Sequence, residues 1–116
     1  PQYAVAYVEG HKYARQGELQ VARSTIASRG TDLSRVHIFG DSIFWPVFKD
    51  LSFRWSASVD PQRIPRGTIY LICGLDQPFF SFEHTCADEL PAFGGMQLVD
   101  QFSWSGRKYL IYERHE

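Results

Sequence analysis

The chain has no asparagine, one methionine and two cysteines among its 116 residues. Nowhere does an apolar run approach the roughly eighteen residues that a membrane-spanning helix needs. Charge of one sign is also missing in excess: twelve Lys and Arg face thirteen Asp and Glu, for a formal charge of -1. These absences exclude particular functions. No membrane span lies within the chain, and the scattered basic residues form no stripe that would hold a phosphate backbone, so nucleic acid is not an expected partner. The glycines at 74, 94, 95 and 106 never assemble into G-x-G-x-x-G or G-x-x-x-x-G-K-[ST]. A phosphate cradle needs closely spaced backbone N–H groups at a helix start, so no cofactor is expected. The opening "PQYAVAYVEGHK" lacks the basic and apolar regions of a signal peptide. Its first proline suits an excised domain or trimmed segment, which leaves the parent protein's location open.

What is present is a folding composition. The chain is 44% hydrophobic and carries nine Phe, six Tyr and three Trp, groups in which disordered chains are poor. Its length suits one domain, residues 1–116, with one core.

Periodicity gives the elements. "QYAVAYVE" reads as a strand or as the first turns of a helix. From Tyr13 to Ser28 the helical spacing of Leu19, Ala22 and Ile26 predicts an amphipathic helix that stops at Gly30. "VHIFG" reads as a strand. "SIFWPVFKDL" reads as a bent or two-part helix capped by Ser42, because Pro46 lies past the first turn. "SFRWSASV" alternates Phe53, Trp55, Ala57 and Val59 against serines and Arg54, the period of a strand with one wet side near an edge. "DPQRIPRG" is a loop. "TIYLICG" is the strongest β signal and reads as a central strand covered on both faces. Ser81 to Leu90 suits a short helix ended by Pro91. Met96–Phe102 and Arg107–Tyr112 suit a hairpin joined by Ser103-Trp104-Ser105-Gly106. The expected fold is a small α/β domain: a mixed sheet of four to five strands, helices on at least one face and a C-terminal β-hairpin. Thr68–Gly74 is its expected centre, with Val36–Gly40 beside it.

Candidate chemistry is sparse. "IFGDS" resembles the first motif of SGNH or GDSL-type esterases, where Ser42 would be the nucleophile. That family also uses an asparagine donor and a carboxyl-terminal Asp-x-x-His, and neither exists here. Asp41 and Ser42 therefore read first as residues that satisfy turn or helix-start amides. His11, His37, His84 and His115 lie at no metal-pair spacing, and a site from Cys73, His84 and Cys86 lacks a fourth ligand, so no metal is expected. Asp76, Glu83, Asp88 and Glu89 gather acidity, read as a solvated loop and helix face. The two cysteines suit either buried thiols or a bridge from a strand end to the following helix. Most aromatics should fill the core; Trp45, Trp55 and Trp104 are the candidates for an exposed contact. Because α/β sheets bind ligands beyond the carboxyl ends of their parallel strands, the expected ligand-binding residues are Asp41, Ser42, Trp45, Asp76, Phe79 and Phe80. No catalytic residue is assigned.

The succession "VHIFGD", "FWPVFKDLSFRW", "GTIYLICG" and "FSWSGRKYLIYER" resembles the carboxyl-terminal domain of polytopic membrane glycosyltransferases of the dolichyl-phosphate-mannose or lipid-linked-sugar type. The likeness spans nearly the whole chain, through short motifs. It implies a membrane-associated transferase whose catalytic acids lie outside this segment. It also implies an extracytoplasmic accessory domain, with the membrane-embedded part of its own parent or a lipid-linked sugar as partner, and it favours the Cys73–Cys86 bridge. Without the resemblance a cytoplasmic placement stands equally. The functional expectation is a non-catalytic accessory or binding domain, with a small serine hydrolase or an oligomerisation module as alternatives.

Overall fold

Five strands form one mixed sheet in the order β2-β1-β3-β5-β4. The structure, a computed structural model, describes residues 19–75 and 84–115. The reading of "QYAVAYVE", the helix start from Tyr13 and the segment Ser81 to Glu83 lie outside the described residues. Helix α1 occupies residues 19–27. Then come β1 (His37–Gly40), α2 (Trp45–Phe48), β2 (Ser52–Trp55), β3 (Ile69–Gly74), α3 (Cys86–Glu89), β4 (Gln97–Trp104) and β5 (Arg107–Arg114). Strand β1 pairs parallel with both β2 and β3, while β3–β5 and β5–β4 are antiparallel. This is the small α/β domain with a mixed sheet and carboxyl-terminal hairpin that the patterning implies.

The sheet is covered on both sides, and the alternation of strand side chains sorts the core into two clusters. Leu19, Ala22 and Ile26 of α1 pack with Ile38, Tyr70, Ile72, Tyr109 and Ile111 on one face, joined by Phe44, Val47 and Phe48. On the other, Phe39, Ile69, Leu71, Cys73 and Leu110 meet Cys86 and Phe93. Every residue of β3 is buried. A strand covered on both faces needs an unbroken apolar run, which is why "IYLICG" stands out in the sequence.

Several boundaries differ from the sequence reading. The β2 segment ends at Trp55, and Ser56–Ser58 turn into a 3-10 helix, so Ala57 and Val59 leave the strand. Trp55 is 42% exposed; Phe53 packs inward on the first core cluster, stacking on Phe48 at 5.8 Å, and Val59, beyond the strand, packs against the second. After β1, a 3-10 turn at Ser42–Phe44 runs into α2, the expected two-part helix, but the capping residue is Asp41, which accepts from the Ile43 amide. Pro91 does not end the chain's helical course; it sits inside a 3-10 turn, Leu90–Ala92, that continues from α3. Proline is compatible with an early helical position, where its missing N–H would be unbonded anyway. The hairpin is tighter than expected, because β4 continues through Trp104 and only Ser105 and Gly106 make the turn, with φ of 52° and 76°. Two positive φ values in a two-residue loop match the right-handed twist of the strands.

The membrane-associated, glycosyltransferase character implied by the resemblance is corrected here. No helix among the described residues is long and apolar enough to cross a membrane. Helix α1 runs nine described residues, about 14 Å at 1.5 Å per residue, against a hydrocarbon core of about 30 Å.

Candidate functional site

Two groups of buried polar side chains lie at opposite ends of the central strand, and their bonding differs. At the amino end of β3, Tyr70 donates to Glu113 Oε2, and Thr31 Oγ1 meets the Tyr70 hydroxyl at 2.8 Å. Arg29 reaches both Glu113 oxygens at 3.3 and 3.4 Å, and His115 Nε2 lies 2.8 Å from Oε1. Burial raises the Glu113 pKa, but the hydrogen bonds from Tyr70, Arg29 and His115 outweigh it and hold the carboxyl at about 2. A network this well satisfied is structural: it ties the end of β5 to β3 and to the turn after α1.

At the carboxyl end the picture reverses. Asp41 follows β1 directly, Ser56 follows β2, and Glu89 closes α3 over the end of β3. All three are buried, as is Arg107, the first residue of β5. Ser56 Oγ and Glu89 Oε2 are buried and make no well-formed hydrogen bond among the described residues; the two side chains have only a marginal contact with each other. Burial pushes the Glu89 carboxyl up to about 7; the hydrogen-bonding contact with Ser56 pulls it down, the Asp41 charge adds to the rise, and the Arg107 charge opposes it. Glu89 is therefore partly protonated near neutrality and can donate or accept a hydrogen bond. Buried polar atoms are nearly always well paired, so two that have only a marginal contact with each other point to something that completes the site.

Local structure explains how these side chains arrive. The parallel register β2-β1-β3 brings residues 40, 55 and 72 level, so the chain segments that follow exit side by side. Asp41 is held there by its capping role, accepting from Ile43 N at 3.5 Å and from Ser42 Oγ at 3.3 Å. Helix α3 is only four residues long and owes its position to three attachments. Cys86 is bridged to Cys73 of β3, with Cα atoms 5.0 Å apart. Thr85 and Asp88 form a reciprocal capping box. Thr85 also makes a parallel bridge to Gly74.

Arg107 lies over Gly74. Its Nη2 donates to the His84 carbonyl at 3.5 Å, and its guanidinium sits 5.1 Å above the Tyr109 ring. A Cβ on Gly74 would stand 2.1 Å from the guanidinium carbon. Gly74→Ala is thus expected to destabilise the domain by about 1–3 kcal/mol through overpacking of a buried strand end. Denaturant melts would check this; an unchanged midpoint would mean that Arg107 moves aside freely.

A surface groove of about 450 Å3 opens next to this end of the sheet, lined by Phe39, Arg54, Trp55, Val59, Asp60 and Arg63. Phe39 stands two residues before Asp41, and Trp55 immediately before Ser56. No protein-family model, curated protein or solved structure matches this chain. The site is therefore read from its own geometry.

Of the expected ligand-binding residues, Asp41 joins the buried cluster. Ser42 is exposed at the edge of the same turn, and Trp45 projects outward at 56% exposure. Asp76, Phe79 and Phe80 lie outside the described residues. Trp104 is half-buried against the first core cluster. The cysteines form a bridge, resolving the open alternatives. No group of metal-ligating side chains is present among the described residues. Ser42 has no histidine within hydrogen-bonding reach among the described residues: His37 bonds Ser52 at 2.8 Å, and His115 bonds Thr68 and Glu113.

Ser56, Glu89 and Arg107 were not legible as site residues. Glu89 read as part of a solvated acidic face, and that reading is corrected: Glu89 is buried, whereas neighbouring Asp88 is exposed. One signal existed. Cys86, Glu89 and Leu90 share a helix face at i, i+3 and i+4, so a buried Cys86 carries Glu89 inward with it. Ser56 and Arg107 offered no such cue, because their burial depends on where β2 stops and on the empty space above Gly74.

Proposed function

We propose that this chain is a non-catalytic, ligand-binding accessory domain whose ligand sits beyond the carboxyl ends of β1, β2 and β3. One observation carries the reading. Four buried polar side chains, Asp41, Ser56, Glu89 and Arg107, converge where parallel strands end, and Ser56 Oγ and Glu89 Oε2 have only a marginal contact with each other in place of a well-formed hydrogen bond. Parallel α/β sheets bind ligands in that place because strand ends and loops leave a crevice there. A carboxyl with a pKa of about 7 next to a serine hydroxyl offers both a donor and an acceptor to a small polar molecule. The hydrolase alternative has less support, since Ser42 is exposed and its hydroxyl bonds only Asp41 among the described residues. The Cys73–Cys86 bridge supports an oxidising, extracytoplasmic setting, where such bonds persist.

The test is an amide-shift titration at pH 6 with small polyols and primary amides. Binding should move the signals of residues 41–44, 56–57, 74–75 and 85–90. Ser56→Ala and Glu89→Gln should each weaken that binding roughly fivefold, the worth of one hydrogen bond. A folded protein whose spectrum no probe perturbs in those segments would remove the proposal.

A further inference from the structure

The groove beside the strand ends has a chemistry of its own. Arg54 of β2 is exposed and has no hydrogen-bond or ion-pair partner among the described residues, although it sits on the sheet face shared with buried Phe39. Arg63 ends the 3-10 turn Pro61–Arg63 on the opposite wall. Asp60 comes within 3.7 Å of Arg63 Nε, too far for a hydrogen bond, and its other carboxylate oxygen caps the turn by accepting from Gln62 N at 3.0 Å. Arg63 is strongly exposed, with 86% of its side chain accessible, so its guanidinium can turn toward a ligand. Between the two arginines lie apolar Phe39 and Val59 and the partly exposed indole of Trp55. The groove thus carries two positive charges against one negative, over a floor that prefers carbon. Its volume of about 450 Å3 falls within the range of small-molecule sites, about 300–1,000 Å3.

We infer that this groove binds an organic anion: a phosphate or carboxylate head held by Arg54 and Arg63, attached to a ring or short apolar body lying against Trp55, Val59 and Phe39. Guanidinium groups present planar forks that match either head, and an indole face gives a rigid apolar contact. The groove adjoins the buried cluster of the binding reading above but is lined by none of its four polar residues, so the inference goes beyond that reading and is tested separately from it.

The experiment is an amide-shift titration of the whole chain with four probes: phenyl phosphate, benzoate, phenol and inorganic phosphate. Phenyl phosphate or benzoate should move the signals of residues 54–63 and bind about tenfold more tightly than phenol. Inorganic phosphate should bind more weakly than phenyl phosphate. The ratio of phenyl phosphate to benzoate affinity tells which head is preferred. The double variant Arg54→Gln/Arg63→Gln, which alters only exposed side chains, should lose that tenfold preference and keep its phenol affinity and melting temperature. Equal affinities for phenol and both anions would overturn the inference, as would anion binding unchanged in the double variant. If polyols or amides perturb residues 41, 56 and 89 while the anions perturb nothing, the anion assignment fails and the binding function stands. If no probe of either kind perturbs this end of the sheet, both fail.

Discussion

Replacing Glu89 by glutamine is expected to stabilise the domain by roughly 1–3 kcal/mol at pH 8 and to change it little at pH 4.5. The folded-state pKa of about 7 lies above the ordinary carboxyl value of 4.5. The folded protein therefore holds this proton more tightly than the unfolded chain. The stability linked to it is complete below pH 4.5 and is lost as pH rises through 7, by roughly 3 kcal/mol in the limit. Glu113 works in the other direction. Its folded value of about 2 lies below 4.5, so its contribution is complete above pH 4.5 and is lost as pH falls through 2. The two limbs meet near the ordinary carboxyl value, and the wild-type domain should be most stable on the acidic side of neutrality. Urea melts of wild type, Glu89→Gln and Glu113→Gln between pH 3 and pH 8 would separate the limbs. A wild-type curve still rising from pH 5 to pH 8 would contradict the burial of an ionisable Glu89. A buried carboxyl that weakens the fold at neutral pH fits the proposed binding site, where stability would be given up to keep a polar group for a ligand.

Removing the Cys73–Cys86 bridge should have an effect of similar size by a different route. The cysteines are 13 residues apart, and closing a loop of that length is worth about 3 kcal/mol in the chain-entropy account. For a domain of this size, Cys73→Ala/Cys86→Ala should melt roughly 10–15 °C lower than the oxidised wild type. The consequence reaches the site. A four-residue helix has no stability in isolation, so without the bridge α3 depends on its capping box and on Phe93 and Leu90 packing against the second cluster. Glu89 should then gain water, its pKa should fall toward 4.5, and the stability loss between pH 4.5 and 7 should shrink. A double variant that melts within about 2 °C of wild type and keeps that loss would show that packing alone places α3.

The contrast between the two polar groups explains much of what sequence reading could and could not reach. Tyr70 and Glu113 alternate correctly with apolar neighbours on β3 and β5, yet nothing local pairs residues 43 positions apart. Their pairing follows from the antiparallel register, Tyr70 opposite Glu113. Asp41 was legible because a short acid after an apolar strand is a helix-start residue wherever the sheet lies. The alternation misled at Ala57 and Val59, because period two describes a strand only while the strand lasts and this one ends at Trp55; Trp55 itself is exposed, as expected of a contact tryptophan. The acidic run before β4 misled for a related reason. Charge in a linear sequence reads as exposure, whereas the bridge at Cys86 turns one of those acids inward.

Composition and periodicity alone determined a small α/β fold, with residues 69–74 at its centre and a hairpin closing the sheet. Those features rest on interactions between near neighbours and on the two- and 3.6-residue periods of buried faces, which a chain carries in its order. Only the tertiary structure decided that Ser56, Glu89 and Arg107 stand beside Asp41 and that Arg54 and Arg63 flank one groove. Each of these meetings joins segments far apart in the chain, and burial, pKa and charge are set by such neighbours and not by the identity of any single residue.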